Sequence, residues 1–186
     1  MAMNFPVEYF RGVDTPFYYY DVELLEKTIG TVKAEAGRYG NFDVHYAIKA
    51  NYNPRLLKIM ADAGLGADCV SGGEVAAALA AGVPASKIVF AGVGKTDKEI
   101  ALALDAGIFC FNAESVPELE AIEALAAERG VVAQVALRIN PNVGAHTHSN
   151  ITTGLAENKF GIGYEQLDDV INVVEGLEHV KLIGLH

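Results

Sequence analysis

Lys49 stands near the end of a short apolar run, residues 44–50, directly behind Ala47 and Ile48. A lysine at such a strand end is expected to be partly desolvated, which lowers its pKa and frees a lone pair to hold an aldehyde as a Schiff base. The plain alternative is a lysine whose stem lies along the strand while its ammonium stays in water. Asp68 sits in the middle of the next apolar run, where an aspartate has no cheap structural excuse. Glu74 has one, because Ser71 three residues earlier makes a capping box with it. Arg138 alternates onto the same face of its run as Asn140. A guanidinium inside a closed sheet needs a carboxylate, and Asp68 is the natural partner.

Other chemistry-bearing residues lead less far. Residues 92–96, GVGKT, lack the four-residue gap of a nucleotide-binding loop, so Lys95 is read as either a solvated loop lysine or a functional one. His146 and His148 lie in a loop without a thiolate or carboxylate at ligand spacing, which argues against a metal. Cys69 and Cys110 are too few for a disulfide framework and fall inside apolar runs, as small buried residues do.

The elements that must position these groups follow from punctuation and period. Strands are expected at residues 44–50, 67–71, 88–92, 108–112, 135–140 and 181–186, most of them short apolar runs between glycine or polar residues. Between them lie helices with their own signals. Asn53 and Pro54 open one that Gly64 closes, and another runs from Gly72 to Gly82. Thr96 with Glu99 and Ser115 with Glu118 read as capping boxes, closed by Gly107 and Gly130. A helix from Asp21 to about Ala36 precedes the first of these strands, and residues 16–20 look like a strand outside the alternation.

Strand–helix alternation allows either a barrel or an open doubly wound sheet. Side-chain parity favours the barrel. Val44, Tyr46 and Ile48 oppose His45, Ala47 and Lys49, and Val135, Leu137 and Ile139 oppose Ala136, Arg138 and Asn140. One face is bulky and suited to packing on helices. The other is small or charged, as where strands point into a barrel mouth, and barrel chemistry sits at the carboxyl ends of strands.

With 186 residues and 51% hydrophobic content, the chain suffices for one domain with a substantial core. Its net charge of −10 argues against nucleic acid or an anionic membrane as partner. The first residues carry no signal-peptide pattern and no uncharged apolar stretch reaches membrane-spanning length, so a cytoplasmic setting is expected.

Residues 46–51, YAIKAN, resemble the cofactor-lysine motif of the alanine-racemase-type pyridoxal-phosphate enzymes, particularly the diaminopimelate decarboxylases. Residues 67–74 (ADCVSGGE), 90–96 (FAGVGKT), 111–115 (FNAES) and 137–141 (LRINP) are similar to the motifs of the next four strands, and 183–186 (IGLH) to the opening of the sixth. The loop carrying 145–148 (AHTH), 152–154 (TTG) and 158–161 (NKFG) is similar to that of the diaminopimelate branch. The resemblance runs in order and spacing over essentially the whole chain.

It implies an α/β fold: a partial (β/α)8 TIM barrel with about six of eight strands, residues 21–186, preceded by residues 1–20 that lend a strand to an absent C-terminal β domain. It implies pyridoxal 5′-phosphate on Lys49, with Asp68, Glu74 and Arg138 around the cofactor and His186 at its edge. The implied reaction is decarboxylation of meso-2,6-diaminopimelate to L-lysine and carbon dioxide, in a homodimer whose phosphate site, ring-nitrogen acid and proton donor lie beyond this chain. The chain is thus read as an N-terminal fragment of such an enzyme, with three alternatives: a sister decarboxylase for arginine, ornithine or carboxynorspermidine, a non-catalytic pyridoxal-phosphate carrier, or an inert truncated product.

 

Overall fold

A computed structural model describes residues 5–141 and 160–186. The chain opens with a short helix α1 (Val7–Phe10), followed by α2 (Val22–Gly37), where the Asp21 side chain accepts the amide of Leu24 and caps the helix. Strand–helix alternation then begins: β1 (His45–Ala47), α3 (Pro54–Asp62), β2 (Gly66–Cys69), α4 (Gly72–Ala81), β3 (Ile88–Phe90), α5 (Asp97–Ala106), β4 (Cys110–Ala113), α6 (Val116–Arg129) and β5 (Ala133–Leu137). Two short strands, β6 (Ile139–Asn140) and β7 (Ile162–Gly163), pair with each other, and α7 (Leu167–Glu175) leads into β8 (Val180–Leu185).

Six strands form one parallel sheet in the order β1-β2-β3-β4-β5-β8. Each new strand is added on the same side, and right-handed crossovers then place every connecting helix on one face. A doubly wound sheet would reverse its strand order to cover both faces. The observed order is that of a (β/α) barrel, and the sheet is an arc of six of its eight strands.

The two faces of the arc differ as side-chain parity predicts. Cys69, Ile88, Phe90, Phe111, Val135 and Leu137 point to the helices and join a core with Val75, Ile100, Leu119 and Ile122. The opposite face carries Asp68, Val89, Cys110, Asn112 and Ala136, aligned by the pairings Asp68↔Val89, Val89↔Cys110 and Asn112↔Ala136. Small and polar residues belong there because the interior of the arc must leave room for something other than helices.

Helix boundaries follow the sequence punctuation closely. Asn53 accepts the amide of Arg55 with Pro54 at the first helical position, and Gly82, Gly107 and Gly130 close α4, α5 and α6 in the left-handed conformation.

Two strand expectations need correction. The first strand ends at Ala47, and Ile48–Ala50 winds into a 3-10 turn, because the Asn51 side chain accepts the amide of Asn53 and turns the chain toward α3. The fifth run breaks at Arg138, after which Ile139 and Asn140 pair with β7. Residues 16–20 pair with no strand among the described residues. Their aromatics instead meet α1, with the Phe10 ring 5.3 Å from Phe17 and 5.0 Å from Tyr19. The loop motifs at 145–148 and 152–154 lie outside the described residues, with His146 and His148 among them.

Candidate functional site

Lys49 projects from the 3-10 turn that follows β1. The turn is anchored by Ile48, which is wholly buried, while Lys49 itself is exposed. The desolvation expected of a strand-end lysine is therefore not supplied by the described residues. Behind the turn, the Tyr46 hydroxyl donates to the carbonyl of Asn51 at 3.1 Å, and the Asn51 side-chain Nδ2 donates to the Tyr20 hydroxyl at 2.8 Å. Burial pushes the Tyr46 phenol above its usual range, which keeps it a donor.

Asp68 occupies the inner face of β2, with its Oδ1 buried and unpaired among the described residues. It lines a cavity of about 430 Å³ together with His45, Asn112, Ala136 and His186. His45 Nε2 is also buried there without a hydrogen-bond partner. His186 is exposed, and its backbone is held by β5 and β6, through its amide to the Leu137 carbonyl and its carbonyl accepting the amide of Ile139.

Glu74 is committed to the backbone. Its own amide donates to Ser71 Oγ at 3.2 Å, and its carboxylate accepts the amide of Val70 at 2.8 Å. This is a capping arrangement shifted one residue from the box, since the acid reaches the residue before the cap.

Arg138 pairs with Glu114 and not with Asp68. Its Nη1 lies 2.7 Å from Glu114 Oε1, and its guanidinium stands 5.7 Å from the ring centre of Phe160. The reason is register. Ala113 pairs with Leu137 across β4 and β5, so the residues that follow them, Glu114 and Arg138, leave the sheet side by side. Glu114 is a functional candidate that sequence reasoning missed. A carboxylate directly behind the four buried residues of β4 was the available signal, by the same strand-end rule that singled out Lys49.

Lys95 is not solvated. Its side chain is 1% exposed, and Nζ donates to the carbonyls of Gly92 and Asn112 and to Glu118 at 2.8, 2.9 and 2.6 Å. All three ammonium protons are used, so Lys95 ties the loop after β3 to β4 and α6. The two thiols are similarly withdrawn from chemistry. Burial, with help from Glu74 and Asp68, pushes Cys69 up to about 12, and burial pushes Cys110 up to about 11. No group of three His, Cys, Asp or Glu among the described residues could hold a metal ion, and no described helix is long and apolar enough to cross a membrane.

The geometry therefore presents an amine, a buried carboxylate on the inner face and a paired guanidinium, all at or near the carboxyl ends of strands of one barrel arc. Residues 25–186 match the family described as pyridoxal-dependent decarboxylase, pyridoxal binding domain. The chain belongs to that family, whose cofactor is pyridoxal 5′-phosphate.

It is 59% identical over 182 residues to a diaminopimelate decarboxylase of Bacteroides thetaiotaomicron, covering 98% of this chain and 47% of that protein. The crystal structure of diaminopimelate decarboxylase from Helicobacter pylori complexed with L-lysine superposes with a TM-score of 0.86 at 40% identity, over 97% of this chain and 45% of that one. An arginine decarboxylase of Paramecium bursaria Chlorella virus superposes with a TM-score of 0.69 at 26% identity, over 86% and 40%. The chain thus spans less than half the length of these relatives.

The described residues fit the ring side of such a cofactor. Lys49 is an accessible amine, Asp68 offers an unpaired buried oxygen, and the cavity is of the size that small cofactors occupy.

Proposed function

We infer that this chain is the cofactor-holding part of a pyridoxal-phosphate-dependent decarboxylase acting on meso-diaminopimelate. The observation that carries the reading is Lys49 on its anchored turn at the end of β1, beside a β2 whose inner face carries Asp68. The similarity to diaminopimelate decarboxylases at 59% and 40% identity, against 26% for the arginine enzyme, supports the choice of substrate. On this reading residues 21–186 make the cofactor barrel, residues 1–20 join a second domain, and the complete polypeptide works as a homodimer.

Pyridoxal phosphate, when bound, supplies an electron sink for the bonding pair left behind as carbon dioxide departs. The chain's own residues prepare that step. Lys49 would provide the amine that holds the cofactor's aldehyde. Asp68 presents a carboxylate oxygen on the inner face, where it would set the protonation and orientation of the cofactor lysine. Arg138, held by Glu114, places a fixed positive charge at the end of β5. Holding the reacting bond in one orientation is the protein's main contribution to rate.

The test is chemical trapping in the complete polypeptide that contains this chain. Borohydride reduction after loading with pyridoxal phosphate should mark the peptide bearing Lys49, and Lys49→Ala should lose both the mark and carbon dioxide release. A mark on another lysine, or turnover by the Lys49→Ala protein, refutes the assignment. Carbon dioxide release from ornithine or arginine as fast as from meso-diaminopimelate would move the protein to a sister enzyme.

A further inference from the structure

Glu114 is a buried carboxylate, with a side chain 5% exposed, and burial of such a charge is tolerated only where partners compensate it. Its Oε1 accepts from Arg138 Nη1 at 2.7 Å and from the amide of Gly92 at 3.3 Å. Its own amide donates to Glu118 at 2.9 Å, and Glu118 is locked in turn by the buried Lys95. The carboxylate is therefore placed by the loop after β3 and by the start of α6, independently of Arg138.

Arg138 shows the complementary pattern. Its backbone is nailed on both sides, with its amide donating to the carbonyl of Ala113 and its carbonyl accepting the amide of Ile162. A Cβ at Gly161 would stand 2.8 Å from that carbonyl, at a φ of +92° that favours glycine, so this stretch of chain has no slack. What remains to be set is the direction of the guanidinium, and Glu114 sets it.

We propose that Glu114 is a positioning residue for the cofactor site, acting through its ion pair with Arg138. This rests on the reading that the site holds pyridoxal phosphate. Glu114 Oε2, buried and unpaired among the described residues, leaves the carboxylate free to serve a second donor without releasing Arg138.

The experiment measures the dissociation constant of pyridoxal phosphate by absorbance titration in the complete polypeptide. Glu114→Gln should weaken binding about tenfold to a hundredfold, the effect of losing one charge-assisted hydrogen bond, and shift the visible band of the bound cofactor. In an Arg138→Met background the same substitution should change neither. Unchanged binding in Glu114→Gln, or an equal loss with and without Arg138, overturns the proposal. Should Glu114→Gln fail to fold, Glu114→Asp keeps the charge but retracts it by one methylene. Weaker binding at an unchanged melting temperature then supports the proposal, and binding equal to the parent's overturns it. If the parent itself binds no pyridoxal phosphate at Lys49, the functional reading fails first and this inference with it.

Discussion

The carboxylate of Glu99 accepts the amide of Gly72 at 2.8 Å across 27 residues of chain, while its other oxygen closes the cap of its own helix at Thr96. One acid thus ties the start of α4 to the start of α5. The hydrogen bonds from the Thr96 backbone, the Gly72 backbone and the Thr96 hydroxyl hold Glu99 below the usual glutamate range, against a smaller opposing effect of burial. A lowered folded-state pKa means stability that is present above the unfolded pKa and is lost as pH falls through the folded one. Glu99→Gln should therefore lower stability by about 1 kcal/mol near neutrality, the scale of a helix cap. Melting curves against pH should show the gap from the parent closing in acid, and a gap that persists there would contradict this account.

Lys95 and Glu118 form a buried pair whose halves depend on each other. Lys95→Met should cost about 3–5 kcal/mol, because it strands a buried carboxylate. Adding Glu118→Gln should recover part of that loss. Urea unfolding of the two singles and the double closes the cycle, and strictly additive losses would show the pair to be uncoupled.

Two glycines should respond in opposite directions to the same change. A Cβ on Gly66 would lie 2.3 Å from His45 Cδ2 and 2.6 Å from the Lys87 carbonyl, so Gly66→Ala must displace a neighbouring strand and should cost about 1–3 kcal/mol. Gly30, inside α2 and with nothing within 4 Å, should gain about 0.5–1 kcal/mol as alanine. Thermal unfolding of both variants checks the pair, and a shift of the same sign in both would be wrong for this packing.

The 186-residue chain on its own should associate. Among the described residues β1 pairs only with β2 and β8 only with β5, which leaves an open edge at each end of the arc. Tyr18, 89% exposed, adds further apolar surface. Light scattering of the isolated chain should find oligomers, and a monodisperse monomer would show that the edges are better protected than their pairing indicates.

Much of this architecture is legible without coordinates. Asn53, Ser71, Thr96 and Ser115 announce helix starts because each supplies an oxygen to an otherwise orphaned amide, a local event that needs no tertiary knowledge. Face parity also survives, since Asp68 and Ala136 do line the cavity. The partner of Arg138 was not legible, because both Asp68 and Glu114 satisfy its charge and only strand register chooses between them. Lys95 misleads for a similar reason. Its neighbours in sequence, Gly94 and Thr96, do not signal burial, and its partners Asn112 and Glu118 come from later elements. Lys49 was placed on a strand because alternation continues past Ala47, while the turn is dictated by a side-chain bond from Asn51 that period alone does not register.

The order of strands in the arc is the order in which they leave the ribosome, apart from the small β6 and β7 ribbon. Each new strand from β2 onward finds the edge it needs already made by its predecessor, one β/α unit upstream. Assembly can therefore advance during translation, with short loop closures and no strand waiting for a distant partner. The growing edge is also the most exposed part of the nascent protein at every stage, so it is there that a chaperone would have the most to shield.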